Sequence, residues 1–469
     1  MKSMEYEQED DELSELVEDF KSMVRYGNSR FFDSDELELI IENLMDDCDM
    51  EYAGKAIDYA LRLYPATYEF KIFKVKRLIM EMEYDSALKE LDDIERNYTL
   101  TAEFYMEKVL FSKMTGADQN SLQLLIKAHQ LEPQNPDINF SLACEYVKKS
   151  LFNKGVFSLT QALKEDETLD DQLFTFSFLF EESQNYTEAI HFFEQLTDNV
   201  PLCKGAWFAL GLAYSWNKEY EKAIDAYLFA ISLDETSSTA YFNIGNAYYE
   251  MNDFSHAAQY YSETLRIEPE DFHALSGIGD CYYAMKAYPD ALEYYRRAFH
   301  INRTFPDAII GIISVLNETN RSDEAEDFIY LAFKNKPQGF ELLFSVLPFY
   351  EDEKQIAKLK ELFHLSIKQL QNKEDFLQFF TIYCAINDDL RDMGIEVLEE
   401  YLDNDEVTFV IPYFLAALHY LNQNFESANN YLKTALLINY EGANLFLSIH
   451  PKLEEIPVIQ ELITTYKPN

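Results

Sequence analysis

The residue types that carry most protein chemistry are scattered along this chain of 469 residues. No two of the eight histidines stand four residues apart with a third ligand nearby, so their spacing predicts no metal site. The cysteines are far apart, odd in number and contain no Cys-x2-Cys pair, so neither a zinc ribbon nor a disulfide framework is supported. They are Cys48, Cys144, Cys203, Cys281 and Cys384.

Sequence motifs of the common enzyme classes are also missing. The chain contains no G-x4-G-K-[ST], G-x-G-x-x-G, H-E-x-x-H or G-x-S-x-G. The acidic runs Asp46–Asp49 and Asp403–Glu406 lack the glycine and the spacing of a calcium loop. We therefore expect a protein that is not an enzyme and has no cofactor. A cysteine–histidine nucleophilic pair brought together by folding stays open as the alternative.

The chain is strongly acidic, with 84 Asp and Glu residues against 39 Lys and Arg residues and a formal net charge of −45. A field of this sign opposes the approach of nucleic-acid phosphates and of anionic membrane surfaces. We therefore expect neither nucleic acid nor a membrane as a partner. The charge favours a basic protein partner, or it serves only to keep the outer surface well solvated.

The first residues, MKSMEYEQEDDELSEL, have neither the basic segment nor the apolar run of a secretory signal. No uninterrupted stretch of about 18 apolar residues occurs, so no transmembrane helix is expected. Together with the scattered cysteines, these features predict a cytoplasmic location.

The strongest regularity lies between Lys204 and Phe305, where three units of 34 residues follow one another. The first unit reads W-x2-L-G-x2-Y and then A-x3-aromatic, and the next two repeat these positions with few changes. The matching residues are Trp207, Leu210, Gly211, Tyr214, Ala223 and Tyr227, then Tyr241, Ile244, Gly245, Tyr248, Ala257 and Tyr261, then Leu275, Ile278, Gly279, Tyr282, Ala291 and Tyr295.

The same period covers most of the chain when it is stepped from Lys204 in both directions. Units then begin at 34, 68, 102, 136, 170, 204, 238, 272 and 306. The twentieth residue of every unit is small, as the close approach of two antiparallel helices requires, and the twenty-fourth is large and apolar or aromatic. The small residues are Ala53, Ala87, Ser121, Gly155, Ala189, Ala223, Ala257, Ala291 and Ala325.

This register predicts the domain organisation. An acidic N-terminal segment and capping helix occupy 1–33, nine in-register units follow over 34–339, a degenerate helix pair occupies 340–374, two further units occupy 375–442, and capping helices occupy 443–469. The capping helix is predicted over Asp10–Tyr26, where apolar residues follow a helical spacing. Lys71, Lys74 and Lys108 stand where a first helix should be apolar, so helix ends are least defined there.

These residues resemble the tetratricopeptide repeat family, most fully over roughly 170–337, less over 34–169 and 375–442, and weakly over 340–374. The resemblance implies an all-α, right-handed superhelical solenoid of antiparallel helix pairs. The first helix of each pair would line the concave face and the second the convex face. Family members act as scaffolds that bind peptides or helices in the concave groove, and the whole chain looks like bacterial members of the family.

Some family members hold a C-terminal peptide with a two-carboxylate clamp of asparagine and cationic side chains. Asn243 and Asn246 match two positions of that clamp. Phe208, His273 and Gly277 stand where the clamp needs Lys or Arg. The resemblance therefore does not extend to a clamp, and we expect Asn246 to form a local hydrogen bond or to face water.

The resemblance instead places an aromatic floor with an acidic rim in the groove. Such a surface suits a basic amphipathic helix or an extended peptide with apolar anchors. The alternative is that several of these phenylalanines pack against the next unit. The candidate residues are Phe140, Phe174, Phe178, Phe208, Leu212, Phe242, Asn243, Asn246 and Asp280, with Asp137, Asp171 and Asp307 around them.

The predicted function is a non-enzymatic scaffold or adaptor that binds a peptide or helix of a partner in the concave groove. The alternative is a regulator that binds a small peptide and changes its superhelical shape in response.

Overall fold

The computed structural model describes residues 2–27, 30–116, 120–334, 356–367, 373–402 and 409–467. Regular secondary structure in these ranges is exclusively helical and organised in consecutive helix pairs, which confirms the predicted fold class. The chain divides into two compact units, Met1–Ala240 (unit 1) and Tyr241–Asn469 (unit 2). Within the described ranges, no helix has both the length and the apolar character needed to span a bilayer.

Unit 1 contains one long helix followed by helix pairs. The long helix is α1 (Lys2–Tyr26), and the pairs are α2 (Ser34–Asp46) with α3 (Met50–Leu63), α4 (Tyr68–Met80) with α5 (Tyr84–Asn97), α6 (Ala102–Met114) with α7 (Ser121–Leu131), α8 (Pro136–Lys148) with α9 (Phe152–Glu165), α10 (Leu173–Ser183) with α11 (Tyr186–Asn199), and α12 (Lys204–Trp216) with α13 (Tyr220–Leu233). A 3-10 helix, Glu167–Gln172, precedes α10.

Helix α14 (Ser238–Glu250) contains the boundary between the units and pairs in sequence with α15 (Phe254–Ile267). The further helices of unit 2 are α16 (Phe272–Ala284), α17 (Tyr288–Ile301), α18 (Pro306–Glu318), α19 (Ser322–Lys334), α20 (Ile356–Ile367), α21 (Lys373–Ile386), α22 (Arg391–Glu400), α23 (Ile411–Leu421), α24 (Phe425–Ile438), α25 (Ala443–Ser448) and α26 (Pro457–Thr465). First helices thus begin at the register positions, except α10; the division into repeat units with the boundaries given above stays a prediction.

The N-terminal helix covers the first helix pair of unit 1. Val17 and Phe20 of α1 are buried in one cluster with Leu37 of α2, and the Phe20 ring lies edge-on to Phe32 at 5.7 Å. The helix begins at Lys2, earlier than the predicted Asp10, and ends just before Gly27, whose φ of +73° closes it.

The turn between the two helices of a pair contains a residue in the left-handed conformation. These residues recur every 34 positions from Cys48 to Asn320, and only one of them in that series is glycine. At Met82 the turn closes because Glu83 N donates to Leu78 O at 2.8 Å, which satisfies a carbonyl at the helix end. The residues are Cys48, Met82, Gly116, Ser150, Gln184, Lys218, Asn252, Lys286, Asn320 and, later, Gln423.

Tyrosine rings pack closely against glycines of neighbouring helices from α12 to α18. Tyr227 of α13 is fully buried, and a Cβ on Gly211 of α12 would collide with its ring. In unit 2 the Tyr261 ring lies between Gly245 and Gly277, where added Cβ atoms would lie 2.6 and 2.9 Å from it. The glycine–aromatic spacing seen in the sequence is therefore a steric requirement.

Three lysines that break the apolar pattern of first helices in unit 1 are paired with carboxylates of α5. Lys71 bonds Asp93, Lys74 bonds Glu90, and Lys108 bonds Glu95. The long lysine stems cover apolar surface while the ammonium groups reach the carboxylates, so these helices keep their register without an apolar residue at those positions.

The C-terminal part of unit 2 is organised around α23. Every residue from Ile411 to Tyr420 is buried, within a cluster that also includes residues of α21, α22 and α24. The buried guanidinium of Arg391 donates to Ala385 O at 2.8 Å and to Leu421 O at 3.3 Å, which closes the ends of α21 and α23. The first helix predicted for the degenerate pair and the run Asp403–Glu406 lie outside the described residues.

Gly116 and Met82 offer opposite tests of the left-handed turn. At Gly116, with φ +71°, an added Cβ meets nothing within 4 Å, so Gly116→Ala introduces backbone strain alone. We expect it to lower the free energy of unfolding by about 1 kcal/mol. Met82→Gly should raise it by up to about 1 kcal/mol, because the Met82 side chain is 70% exposed and little packing is lost. Urea denaturation followed by circular dichroism measures both.

Gly116→Asn is the matched control for the alanine variant. Asparagine accepts the left-handed conformation more readily than alanine, so its loss of stability should be the smaller one. Equal losses for the two variants would contradict a backbone origin.

Candidate functional site

Helix α10 of unit 1 presents two phenylalanine rings to solvent. Phe174 and Phe178 are 47% and 39% exposed, and their ring centroids lie 4.9 Å apart in an edge-to-face arrangement. They stand four residues apart, on the same side of the helix. On the opposite side of the helix Phe176 and Phe180 are buried in the core. Helix α10 is therefore apolar on both sides, but only one side packs in the core.

The other apolar candidates of unit 1 are less exposed. Phe208 and Leu212 of α12 are each 9% exposed, and the Phe208 ring lies 5.5 Å from Tyr227. Phe208 is also 6.0 Å from Phe174, so it forms a base beside the exposed pair. Phe140 is half-buried and contacts Phe176 edge-on at 5.7 Å. Phe174, Phe178 and Phe208 are therefore brought together, and Phe140 joins them only through Phe176.

Phe176 is a residue that the sequence reasoning missed. Its ring stacks on Phe192 at 5.6 Å and lies near Phe180 and Phe193, so it connects α10 to α11. The signal was available, because Phe176 and Phe180 repeat at helical spacing four residues apart on the side away from Phe174.

Two acidic candidates of unit 1 are Asp137 on α8 and Asp171 in the 3-10 helix before α10. Asp137 is exposed, and the Asp171 side chain, 78% exposed, shares the ammonium group of Lys204 at 3.4 Å with Asp234 at 3.1 Å. Two carboxylates thus compete for one cation, and the surface keeps a negative balance there.

Asp170, which the sequence reasoning also missed, holds the beginning of α12. Its carboxylate accepts hydrogen bonds from the backbone N–H groups of Lys204 and Gly205, at 3.1 and 2.5 Å, and from the Cys203 thiol at 3.1 Å. Burial, with the Asp170 charge, raises the pKa of Cys203 far above its ordinary value. The thiol therefore acts as a hydrogen-bond donor and not as a nucleophile.

The polar candidates of unit 2 hold tyrosine hydroxyls. Asn246 Oδ1 accepts a hydrogen bond from the Tyr261 hydroxyl at 2.7 Å, and Asp280 Oδ1 accepts one from Tyr295 at 2.6 Å. The sequence left Asn246 either to form a local hydrogen bond or to face water, and in the structure it accepts this hydrogen bond from the following helix. Phe242 and Asn243 are half-buried, and the Phe242 ring lies 5.4 Å from Tyr261.

Asp280 is the titratable group with the clearest electrostatic signature among these candidates. Burial raises its pKa to about 6, the Asp307 charge adds to the rise, and the hydrogen bond from Tyr295 partly opposes it. The equivalent side chain one period earlier is the neutral Asn246, which accepts the same kind of hydrogen bond. Ionisation of Asp280 therefore destabilises the folded protein, and the uncharged Asn246 in the preceding helix pair has no such effect.

The described residues contain no group of three or more His, Cys, Asp or Glu side chains that could hold a metal ion. Two histidines of second helices have local partners: His256 pairs with Asp253 at 2.7 Å, and His191 contacts Gln195 at 2.7 Å.

Asp280→Asn should stabilise unit 2 at neutral pH. The pKa of Asp280 is higher in the folded protein than in the unfolded chain, so ionising this carboxyl group lowers the free energy of unfolding. The parent protein keeps its full stability below about pH 4 and loses part of it as pH rises to about 6. The variant has no carboxyl group at this position and therefore does not lose stability in this way. We expect a gain in the free energy of unfolding of about 1–2 kcal/mol near pH 7 and no gain near pH 4, from urea denaturation at each pH.

Asn246→Asp is the reciprocal control and should create the same pH-dependent loss. A gain for Asp280→Asn that is independent of pH would contradict the assignment to this carboxyl group.

Comparison with known proteins gives two matches to family models. The model described as Tetratricopeptide repeat matches residues 242–309, and the model described as TPR repeat matches residues 211–252. No curated protein matches the sequence.

Three solved structures are among those that match parts of this chain. A crystal structure of MamA protein is 22% identical, covers 36% of this chain and 92% of its own, and has a TM-score of 0.30. PilF of Pseudomonas aeruginosa is 18% identical, with 44% and 93% covered and a TM-score of 0.36. The C-terminal part of a TPR repeat-containing protein from Cytophaga hutchinsonii is 14% identical, with 59% and 99% covered and a TM-score of 0.41.

Proposed function

Because this chain is a tetratricopeptide repeat protein, with family matches over residues 211–309, we propose that it is a non-enzymatic scaffold whose partner binds beside α10. Repeats of this family serve protein–protein interaction in general. The finer proposal is that a basic, amphipathic segment of the partner inserts apolar side chains between Phe174, Phe178 and the acidic residues near them.

The exposed pair Phe174–Phe178 is the observation that carries this proposal. Covering a phenylalanine side chain completely is worth about 1.5–3 kcal/mol, and each of these rings still exposes roughly half of its surface. Their edge-to-face contact at 4.9 Å holds the rings in place before binding, so little rotamer freedom remains to be lost. Aromatic anchors of this kind are typical of interface hot spots.

The charge of the surroundings favours a basic partner. Asp137 is exposed and Asp171 shares its cation with Asp234, so an arriving Lys or Arg finds carboxylates that are incompletely neutralised. Such charges act mainly on the rate of association and on partner choice, and salt screens them. A helix with apolar residues four positions apart and basic residues at its flanks fits both features.

Phe174→Ala/Phe178→Ala should weaken partner binding without unfolding the protein. The partner is first captured from lysate with the tagged full chain, identified by mass spectrometry, purified, and titrated calorimetrically. We expect the double variant to lower affinity by roughly tenfold or more, because two desolvated anchors are lost, while circular dichroism stays unchanged. Rising salt should slow association in the parent protein.

Phe157→Ala is the matched control, since Phe157 on α9 is 63% exposed and lies on a second helix of a pair. It should leave the affinity unchanged. Equal affinities for the parent protein and the α10 variant would refute binding at α10. Phe208→Ala, in contrast, should cost about 3–5 kcal/mol of stability because Phe208 is buried.

A further inference from the structure

We propose that an exposed face of α17 in unit 2 is a separate docking surface, which binds a carboxylate-rich segment of a partner protein. This surface, named here the α17 cleft, is an open cleft of about 620 Å³ along one side of the helix. The residues that matter in it are Leu292, Glu293, Arg296, Arg297, His300 and Ile301. The proposal does not depend on the binding of a basic segment at α10.

The helix places these residues on one stripe. They form two adjacent rows with a spacing of four residues, 292–296–300 and 293–297–301, while Ala291, Tyr295 and Ala298 on the other side are buried. Arg296, Arg297 and His300 are exposed, so their polar groups face solvent along the length of the cleft.

The arginines of this stripe carry charge that the described part of the chain does not neutralise. Arg266, Arg321 and Arg391 in unit 2 each form an ion pair with a carboxylate. Within the described ranges, Arg296 and Arg297 form no ion pair. Arg303 is also without an ion pair in the described ranges, so Arg296 and Arg297 differ from it by standing side by side in one cleft.

The carboxylate that Arg296 influences is already engaged elsewhere. Glu324 accepts two hydrogen bonds from Arg321, at 2.8 and 2.6 Å. Arg321 is the main cause of the lowered pKa of Glu324, and the charge of Arg296 lowers it slightly further. Glu324 is held by Arg321 in this bidentate pair and forms no ion pair with Arg296, so the Arg296 guanidinium keeps its hydrogen-bond donors for another acceptor.

Arg297 is held in position without being neutralised. Its guanidinium carbon lies 5.2 Å from the centroid of the Tyr294 ring, a cation–π contact. This contact restricts the side chain and leaves the N–H groups at its edge able to donate, so less rotamer entropy is lost when an anion binds.

The chemistry of the cleft points to carboxylates on a peptide. Planar guanidinium groups match carboxylates with two parallel hydrogen bonds. Ile301, 40% exposed, adds apolar surface at the same cleft, which suits a peptide with an aliphatic anchor next to its acidic side chains.

The net charge of −45 does not prevent such binding. At physiological ionic strength the Debye length is about 8 Å, so distant carboxylates are screened and the charges inside the cleft dominate. Glu293 is the one carboxylate among the lining residues, and it opposes an acidic ligand locally. Removing its charge should therefore strengthen binding, an effect opposite to that of removing the arginines.

The test uses the full chain and a fluorescein-labelled, glutamate-rich peptide with leucine anchors, compared with a peptide in which glutamine replaces every glutamate. Fluorescence anisotropy should show binding of the glutamate peptide that weakens as salt rises. Arg296→Ala/Arg297→Ala should lower its affinity by about tenfold or more. Glu293→Gln should raise it by about two- to fivefold. All three side chains are exposed, and circular dichroism checks that the variants stay folded.

Arg266→Ala is the matched control, because Arg266 on α15 is exposed and already paired with Glu263; it should leave the affinity unchanged. Equal binding of the glutamine peptide, or no loss with the double arginine variant, would overturn the proposal. So would displacement of the peptide by inorganic phosphate where chloride has no effect, which would assign the cleft to phosphate groups. Arginine-dependent dimers in sedimentation velocity that exclude the peptide would assign it to a second copy of the chain.

Discussion

The ring of a tyrosine between glycines is the contact on which the packing of helices α14 to α18 depends. In unit 2 the Tyr295 ring lies between Gly279 and Gly311, and a Cβ on Gly279 would lie 2.6 Å from it. The tyrosine ring of one helix therefore fills the space that is left where two neighbouring helices have glycine, which has no side chain. Because packed interiors do not deform easily, this contact sets the distance between neighbouring helices from α14 to α18.

The hydroxyl group of that tyrosine requires a hydrogen-bond acceptor on a neighbouring helix. A buried phenol needs an acceptor, and Asn246 and Asp280 supply it for Tyr261 and Tyr295. The helix pair α10–α11 has Phe193 in place of the tyrosine, so no acceptor is needed, and Phe178 occupies the position that Asn246 holds later. An apolar surface on α10 is compatible with the core for this reason.

The effect of each charged side chain also depends on its immediate neighbours. Lys71, Lys74 and Lys108 are paired with carboxylates of α5 and serve the packing of first helices in unit 1. Arg296 and Arg297 have no such pairing among the described residues. The net charge of the chain therefore says little about any one surface, since screening limits each interaction to its near neighbours.

The sequence by itself determined the helix pairs, most of their starting residues and the requirement for small residues, because these depend on spacing within one repeat. It did not reveal the left-handed residues at Met82 or Lys218, since neither side chain signals that conformation. Only the tertiary structure showed which of the candidate apolar side chains are exposed to solvent. Phe174 and Phe208 share one register position, as do Phe178 and Leu212, yet the α10 pair is exposed and the α12 pair is buried. Burial depends on what neighbouring helices place against a side chain, and α10 begins at Leu173, three residues late, because a 3-10 helix precedes it.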